Sequence, residues 1–235
     1  MPCVISFIIP AHDEEALIGQ TLSALHESAK SLGERYEIVV ANDASTDRTE
    51  AVALEHGARI VAVNRRQIAA TRNAGARAAT GSFFIFVDAD TIVTAQVLRA
   101  ALRALRGGAV GGGCAVRLDG RLPLYAVILM RLLPPVLHAF GLAAGCFLFC
   151  TRQAFLTAGG FNETLYAGEE VAFGQRLKRQ GRLVILREFV TSSGRKLRAR
   201  TALQFLTVAA RLALAGPKSL RCREGLEYWY GPRGA

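Results

Sequence analysis

Four short apolar segments in the first half of the chain do most to constrain its fold. They are rich in β-branched and aromatic residues and carry almost no charge: Val4–Pro10, Tyr36–Val40, Arg59–Val63 and Ser82–Val87. Runs of this length and character are typical of parallel strands that are buried on both faces. The segments between them have helical spacing of apolar residues: Glu14–Leu32, Thr46–His56 and Ile68–Ala79. This alternation predicts an α/β fold with a mainly parallel central sheet flanked by helices.

The pattern becomes less regular in the second half. A predicted amphipathic helix, Thr94–Leu105, is followed by Gly107–Gly113, where five glycines in seven residues predict a break in the chain. Beyond it the apolar patterns predict two strands and two helices: Cys146–Cys150, Leu183–Leu186, Leu165–Arg179 and Thr201–Ala215.

Acidic residues follow three of the four early strands, in Pro10–Glu15, Asn42–Asp47 and Asp88–Asp90. In an open parallel sheet, ligands bind beyond the carboxyl ends of the strands, so these clusters are expected at one edge. Asp88 and Asp90, two apart on an extended segment, can both approach one small region. Their oxygens suit Mg²⁺ or Mn²⁺. An isolated pair would more simply be a solvated turn, but this one ends a buried strand and predicts a metal held against a diphosphate.

Five polar or glycine-rich segments occur in order along the chain: IPAHDEE (Ile9–Glu15), ANDASTDRT (Ala41–Thr49), ATRNAGARAATG (Ala70–Gly81), VDADT (Val87–Thr91) and GGFNETLYAGEEVAFGQRLKRQG (Gly159–Gly181). In this order and at these intervals they resemble the family 2 glycosyltransferases. The resemblance implies a GT-A fold with a C-terminal acceptor-side helical region. It also implies a metal-dependent, inverting transfer of a sugar from a nucleotide-diphosphate sugar to an acceptor hydroxyl.

The resemblance also implies roles for residues on the donor side. The loop of Pro10, Ala11, His12, Asp13 and Glu14 would contact the base and ribose. Asp43 would accept a hydrogen bond from the imide N–H of the base, which favours a UDP-sugar. Arg72 would face the nucleotide or its phosphates, although a surface arginine is an equal alternative. Asp88, with Ala89 beside it, would touch the ribose or sugar, and Asp90 would bind the metal, with Asp88 as the second carboxylate.

On the acceptor side, Glu169-Glu170 stands where the family usually carries Glu-Asp. The resemblance makes Glu170 the general base and Glu169 its hydrogen-bonding partner. Glu170 in place of Asp adds a methylene and shifts the carboxylate, which matters for positioning. The alternative is that both acids simply complement the dipole of a helix N-terminus.

Two further features refine the implied activity. No Gln-x-x-Arg-Trp signature of processive members follows Glu170, so a single-addition enzyme is expected. The basic residues Arg195, Lys196 and Arg198 would close over the diphosphate, or form a solvated or lipid-facing loop.

Charge and hydropathy bear on the partners. The net charge is +10, and Glu188 is the only acid between Arg176 and Arg223, against thirteen Lys and Arg. Leu132–Thr151 has no formal charge but contains Pro134-Pro135, so a buried acceptor-side subdomain or an interfacial membrane contact fits better than a span. A lipid-linked acceptor would suit the second reading. The acidic site edge argues against nucleic acid.

The cysteines and the N-terminus bear on location. Five cysteines without a Cys-x-x-Cys spacing and no visible signal peptide predict a cytoplasmic protein, at the inner face of the cell membrane if it contacts lipid.

Two alternative functions are consistent with parts of the pattern. A nucleotidyltransferase could use the same carboxylate edge, but Asp13-Glu14-Glu15 stands where a basic phosphate loop would be expected. A catalytically inactive, membrane-associated scaffold of the same fold is the other. Within one fold, we expect residues 1–113 to form the nucleotide-sugar-binding half, 114–192 the acceptor and base half, and 193–235 a basic, partly amphipathic region.

Overall fold

The early apolar runs form the middle of an eight-stranded sheet in a computed structural model that describes residues 4–127, 145–198 and 221. The strands are β1 (Ile5–Ala11), β2 (Tyr36–Asp43), β3 (Arg59–Val63), β4 (Phe83–Val87), β5 (Thr91–Ile92), β6 (Gly111–Leu118), β7 (Phe147–Thr151) and β8 (Leu183–Ser192). The helices are α1 (Ile18–Ser31), α2 (Thr49–Glu55), α3 (Ile68–Ala78), α4 (Ala95–Arg106), α5 (Arg152–Ala158), α6 (Glu169–Lys178) and α7 (Arg195–Arg198).

The strand order β3-β2-β1-β4-β7-β6-β8-β5 puts β1 among parallel neighbours. Ile5 pairs with Tyr36 of β2 on one side and with Phe83 of β4 on the other. Strand β7 lies between β4 and β6 and is antiparallel to both. Strand β6 runs parallel to β8. The predicted α/β class with helix-flanked strands is therefore confirmed, in a mixed sheet whose first four strands in spatial order are parallel.

Each face of the sheet is covered by its own set of helices. Because side chains alternate along a strand, Phe7 and Ile9 of β1 pack with Leu22 of α1 and Leu98 of α4. Ile8 points to the opposite face, into a core that α3, α5 and α6 complete. Burial on both faces explains why these strands are apolar along their whole length.

The prediction of a chain break at Gly107–Gly113 is wrong over its second half, because Gly111–Leu118 is strand β6. A Cβ on Gly112 would lie 1.9 Å from the carbonyl oxygen of Val184, and one on Gly111 would lie 2.6 Å from that of Phe149. These glycines therefore allow neighbouring backbones to approach closely. Strand β8 is also longer than the predicted Leu183–Leu186, since it extends to Ser192.

Some predictions concern residues outside the described ranges. The helix Thr201–Ala215 and residues 132–144 of the apolar stretch lie there, as does the side chain of Lys196. In the part of the chain that is described, no helix combines the length and apolar character needed to cross a bilayer. The division at residues 113 and 192 stays a prediction.

Candidate functional site

The parallel register brings the predicted site segments to one edge of the sheet. Strand β1 ends at Ala11, which pairs with Asn42 near the end of β2, and β4 ends at Val87. Pro10 and Ala11 are thus the last residues of β1, and the loops that carry the acidic residues start at the same edge. The predicted clustering of these three segments is confirmed.

The loop after β1 is bound to the loop after β2. His12 Nδ1 lies 2.7 Å from the carbonyl oxygen of Asp43, and its Nε2 lies 3.0 Å from Oδ2 of Asp13. The backbone N–H of Thr46 donates to Oδ1 of Asp13 at 2.8 Å, and the N–H of Asp13 donates to Ser45 Oγ at 3.1 Å. His12 and Asp13 therefore hold the two loops together, whatever else they contact.

Backbone strain is concentrated around these loops. Among the residues that the structure describes, the non-glycine residues with positive φ are Asp13 (48°), Ala44 (53°) and Arg66 (49°). Conformations of this kind cost free energy and persist only where surrounding contacts fix them, which is common at ligand sites.

Asp43 anchors the turn that precedes α3. Its Oδ1 accepts hydrogen bonds from the backbone N–H groups of Arg65 (2.8 Å) and Arg66 (2.9 Å). Its Oδ2 accepts from the N–H of Gln67 (3.0 Å) and from Thr71 Oγ1 (2.6 Å). Burial raises the pKa of this carboxyl, but the hydrogen bonds outweigh burial and leave the pKa below its ordinary value. A nucleobase could use Asp43 only in place of one of these bonds, so the predicted base contact stays a prediction.

Asp88 and Asp90 differ in environment. The side chain of Asp88 is about one-third exposed and its Oδ1 accepts from Arg72 Nη2 at 2.9 Å. The side chain of Asp90 is almost buried, and its Oδ1 accepts from Ser192 Oγ at 3.2 Å. Asp90 is therefore held by the end of β8, whereas Asp88 is held by α3.

Arg195 lies between two carboxylates at this edge. Its Nη2 contacts Glu14 Oε2 closely and lies 3.6 Å from Asp90 Oδ2. The guanidinium thus balances negative charge contributed by the loop after β1 and by the loop after β4. This is the edge at which the sequence predicts a diphosphate and a metal.

The neighbouring basic residue Arg198 has a different partner. Its Nη1 donates to Oδ1 of Asp119 at 2.9 Å, and the N–H of Gly194 donates to the same oxygen at 2.8 Å. Asp119 therefore anchors the segment that presents Arg195, and the contact of Arg198 with a diphosphate stays a prediction.

Arg72 is a buried junction rather than a surface arginine. Its Nη1 donates to Glu169 Oε1 at 2.8 Å, while Nη2 donates to Asp88 Oδ1 at 2.9 Å and to the carbonyl oxygen of Gly145 at 3.0 Å. Phe161 lies beneath the guanidinium, 5.4 Å from ring centroid to Cζ. Burial acts to lower the pKa of Arg72, but the surrounding carboxylates act more strongly in the opposite direction. The pKa is therefore raised above its ordinary value, and the guanidinium stays charged.

The predicted base pair occupies the first turn of α6. Glu169 is buried and Glu170 is half-buried. Burial and the adjacent charge of Glu170 raise the pKa of Glu169, although Arg72 opposes the rise. A Cβ on Gly145 would lie 3.1 Å from Glu170 Cδ, so the Glu170 carboxyl packs directly on the Gly145 backbone.

The donor chemistry of this edge fits Mg²⁺ or Mn²⁺. Within residues 4–127 and 145–198, no group of three or more His, Cys, Asp or Glu side chains is placed to hold a metal ion. Two carboxylates suffice where phosphate and water oxygens supply the other ligands. Glu14 and Asp90 already share a cation in the guanidinium of Arg195, which shows that the edge accommodates positive charge.

Several residues that build the site carry no sequence signal of their own. Gly145 precedes a strand as many glycines do, and Asp119 and Ser192 are isolated polar residues. Asn73 donates to the carbonyl oxygen of Phe161 at 2.9 Å and accepts from its N–H at 2.8 Å, which joins α3 to the segment before α6. Only Asn73 lies within a segment that the resemblance covers.

Comparison with known proteins shows which family the sequence matches. A family model described as "Glycosyl transferase family 2" matches residues 6–150. The chain is 33% identical over 129 residues to validoxylamine A glucosyltransferase of Streptomyces hygroscopicus subsp. jinggangensis, a match covering 51% of this chain and 30% of the relative. It is 36% identical over 95 residues to undecaprenyl-phosphate 4-deoxy-4-formamido-L-arabinose transferase of Pseudomonas paraeruginosa, covering 37% of this chain and 28% of the relative. The chain therefore spans less than a third of either relative's length.

Solved structures share the fold at low sequence identity. Glucosyl-3-phosphoglycerate synthase of Mycobacterium tuberculosis, solved with Mn²⁺, UDP and glucosyl-3-phosphoglycerate, has a TM-score of 0.61 at 21% identity, covering 99% of this chain and 82% of that chain. Staphylococcal (S. aureus) TarS with UDP-GlcNAc has a TM-score of 0.60 at 17% identity, covering 89% of this chain and 66% of that chain. These likenesses show the fold.

Proposed function

Because the chain belongs to the family 2 glycosyltransferases, we propose that it moves a sugar from a nucleotide-diphosphate sugar to an acceptor hydroxyl, with inversion at the anomeric carbon. One observation carries the proposal. Asp88 on the predicted donor side and Glu169 on the predicted base side, far apart in sequence, contact the same buried guanidinium at 2.9 and 2.8 Å. The residues proposed for the donor side and for the base side are therefore joined through one guanidinium.

On the donor side, Asp90 and Asp88 would hold Mg²⁺ or Mn²⁺, and the loop Pro10–Glu14 would contact the nucleotide. When bound, the metal supplies positive charge that stabilises the leaving diphosphate. Arg195 lies at the same edge and would exchange its contacts with Glu14 and Asp90 for the diphosphate oxygens. A UDP-sugar is the favoured donor, in keeping with the UDP and UDP-GlcNAc that the two solved structures contain.

On the acceptor side, Glu170 would accept the proton of the acceptor hydroxyl as its oxygen bonds to the anomeric carbon. The bond from that carbon to the diphosphate oxygen breaks in the same displacement, and the nucleoside diphosphate leaves with the electron pair. A single displacement inverts the anomeric centre. Glu169 is buried beside Glu170 and would support it. The sequence favours one addition per binding event.

A lipid-linked acceptor at the inner face of the membrane is part of the proposal. One relative acts, by its name, on undecaprenyl phosphate. Leu124 and Val127 have exposed fractions of 76% and 45%, and they precede the apolar stretch 132–151 in the chain. Flotation with vesicles containing an anionic lipid tests this part, and protein left wholly in the aqueous fraction would contradict it.

Nucleotide binding tests the donor site. We expect UDP to raise the melting temperature in the presence of Mn²⁺ but not in EDTA, and GDP and TDP to do so less. Asp90→Asn should abolish the metal-dependent shift, whereas the exposed Glu55→Gln should leave it intact. If no nucleoside diphosphate moves the melting temperature with Mn²⁺ present, the donor-site proposal fails.

Turnover tests the base. Glu170→Gln should bind UDP with Mn²⁺ as the wild type does but lose donor consumption, measured as UDP released from a UDP-sugar. Equal rates in the two proteins would remove Glu170 from the role of base.

A further inference from the structure

The guanidinium of Arg72 has contacts that a nucleotide ligand would have to displace. Its side chain is only 4% exposed, and both terminal nitrogens donate to protein oxygens on three different segments. Burying a charge is costly unless hydrogen bonds and opposite charges compensate; here Asp88 provides both and Glu169 provides a further hydrogen-bond acceptor. The Arg72 guanidinium is therefore enclosed by the protein.

The two residues that flank Arg72 in the chain fix helix α3 in place. Thr71 donates to Asp43 at 2.6 Å, and Asn73 is bonded in both directions to the backbone of Phe161. The Phe161 ring lies against the guanidinium. Arg72 therefore has little freedom to turn towards solvent, and its position is determined by the same packing that shapes the site.

Gly145 lies next to both Arg72 and Glu170. Its carbonyl oxygen accepts from Arg72 Nη2 at 3.0 Å, and the position that a Cβ would occupy lies next to the Glu170 side chain. A Cβ there would lie 3.1 Å from both Cγ and Cδ of Glu170 and 3.2 Å from Oε1. Such contacts are tighter than ordinary packing, so a Cβ at residue 145 must shift the Glu170 side chain by a few tenths of an ångström.

We propose that Arg72 and Gly145 are positioning residues that set the Glu169–Glu170 carboxyl pair relative to Asp88. Arg72 fixes Glu169 from α3, and Gly145 leaves the space in which the Glu170 carboxyl lies. The proposal rests on the proposed function, because it assigns the positioned groups to the base and the donor. It predicts that a substitution at residue 145 reduces turnover and leaves donor affinity nearly unchanged. A substitution at residue 72, which also holds Asp88, should reduce turnover by a larger factor than donor affinity.

Gly145→Ala is the sharpest single test. The backbone of Gly145 is not in the positive-φ region, so alanine meets no backbone strain of that kind, and the three atoms nearest to its Cβ all belong to Glu170. The Glu170 side chain must give by a few tenths of an ångström, so the loss in rate is expected to be smaller than the roughly hundredfold that an ångström of misplacement can cause. We expect kcat for UDP-glucose hydrolysis with Mn²⁺ to fall by about threefold to tenfold. The Kd for UDP, measured by calorimetry, should change less than about twofold.

Gly174→Ala is the matched control, because a Cβ at this position of α6 meets nothing within 4 Å. It should retain wild-type rates. Shortening the base offers a rescue: in the Gly145→Ala background, Glu170→Asp withdraws the carboxyl from the new methyl group. The double variant should therefore be faster than Gly145→Ala alone. A double variant slower than both single variants would contradict the packing argument.

Arg72→Lys tests the bridge. One ammonium keeps the charge but cannot reproduce the two-pronged geometry of the guanidinium, so kcat should fall by a larger factor than the affinity for UDP. A purely structural role would instead lower the melting temperature and leave the kcat of the folded fraction intact. A loss of UDP affinity with unchanged kcat would assign Arg72 to the nucleotide and overturn the proposal.

A crystal structure of Gly145→Ala provides a readout that does not depend on turnover. The Glu170 carboxyl should be displaced from its wild-type position while Asp88 and Arg72 superpose. If Glu170 superposes as well, or if Gly145→Ala is as active as the wild type, the positioning role is refuted. Failure of the wild type to bind UDP with Mn²⁺ would instead refute the proposed function, and the two failures are thus distinguishable.

Discussion

Replacing Asp43 by asparagine should destabilise the protein by several kilocalories per mole, although the two side chains have almost the same shape. The carboxylate accepts four hydrogen bonds, three of them from consecutive backbone N–H groups. Asparagine keeps one accepting oxygen, and its amide group would face two donors at the other position. Two charge-assisted bonds at about 1.5–3 kcal/mol each give a loss of about 3–6 kcal/mol. This is a large part of the ~5–15 kcal/mol that stabilises a typical domain.

Urea unfolding followed by circular dichroism at pH 7 measures this loss. Thr71→Val removes one of the four bonds and should lose about half as much or less. Glu55→Gln, at an exposed position, should lie within about 0.5 kcal/mol of the wild type. An Asp43→Asn variant as stable as Glu55→Gln would refute the anchoring role. If that variant also lost UDP affinity, contact with the base would be the primary role of Asp43.

The pH dependence of the same difference provides a second check. The folded-state pKa of Asp43 is lowered, so its stabilising contribution is complete above the unfolded pKa and is lost as the pH falls through the folded value. The difference between wild type and Asp43→Asn should therefore be constant from pH 8 to about pH 5. It should shrink below about pH 4, the ordinary range of an aspartate. A difference that grew towards low pH would contradict the assignment.

Three further predictions follow from other contacts. Gly112→Ala should lose more than about 4 kcal/mol or fail to fold, since the new Cβ would overlap a backbone oxygen, whereas Gly174→Ala should unfold at nearly the wild-type temperature. Arg195→Met removes the cation beside Asp90, so Mn²⁺ titrated in the absence of nucleotide and followed by electron paramagnetic resonance should bind several-fold more tightly; unchanged affinity would mean that Arg195 does not compete. The pKa of Glu169 is raised in the folded state, so its contribution to stability is present at low pH and is lost as the pH rises through the folded-state pKa. Glu169→Gln lacks this titration, so its melting temperature should fall less between pH 5 and pH 9 than that of the wild type.

The regular part of the fold could be predicted because its physical cause is local. Strands β1, β2 and β4 are buried on both faces, so their sequences are continuously apolar, and each is followed at once by polar residues. The topological rule for parallel sheets then places those polar residues at one edge. Neither step requires knowledge of distant contacts, and the structure confirms both.

Strand β6 could not be predicted in this way because its glycines serve a distant contact. Gly111 and Gly112 would indicate a break if only local preference mattered, since glycine weakens strands. The reason for them is the backbone of Phe149 and Val184, which approach so closely that no side chain fits. A pattern of residue types does not reveal which backbone will lie opposite.

The sequence likewise does not reveal how the donor side and the base side of the candidate site contact each other. The resemblance identifies Arg72, Asp88 and Glu169 as separate members of three segments, but it does not show that one guanidinium joins them. It also marks Glu170 as a departure from the usual aspartate, with a carboxylate carried further from the backbone. Gly145 supplies a physical account of how that length is accommodated, because the space which its missing side chain leaves is where the longer side chain lies. The substitution at residue 170 and the glycine at residue 145 are therefore best understood as a pair, which is why the rescue of Gly145→Ala by Glu170→Asp is more informative than either change alone.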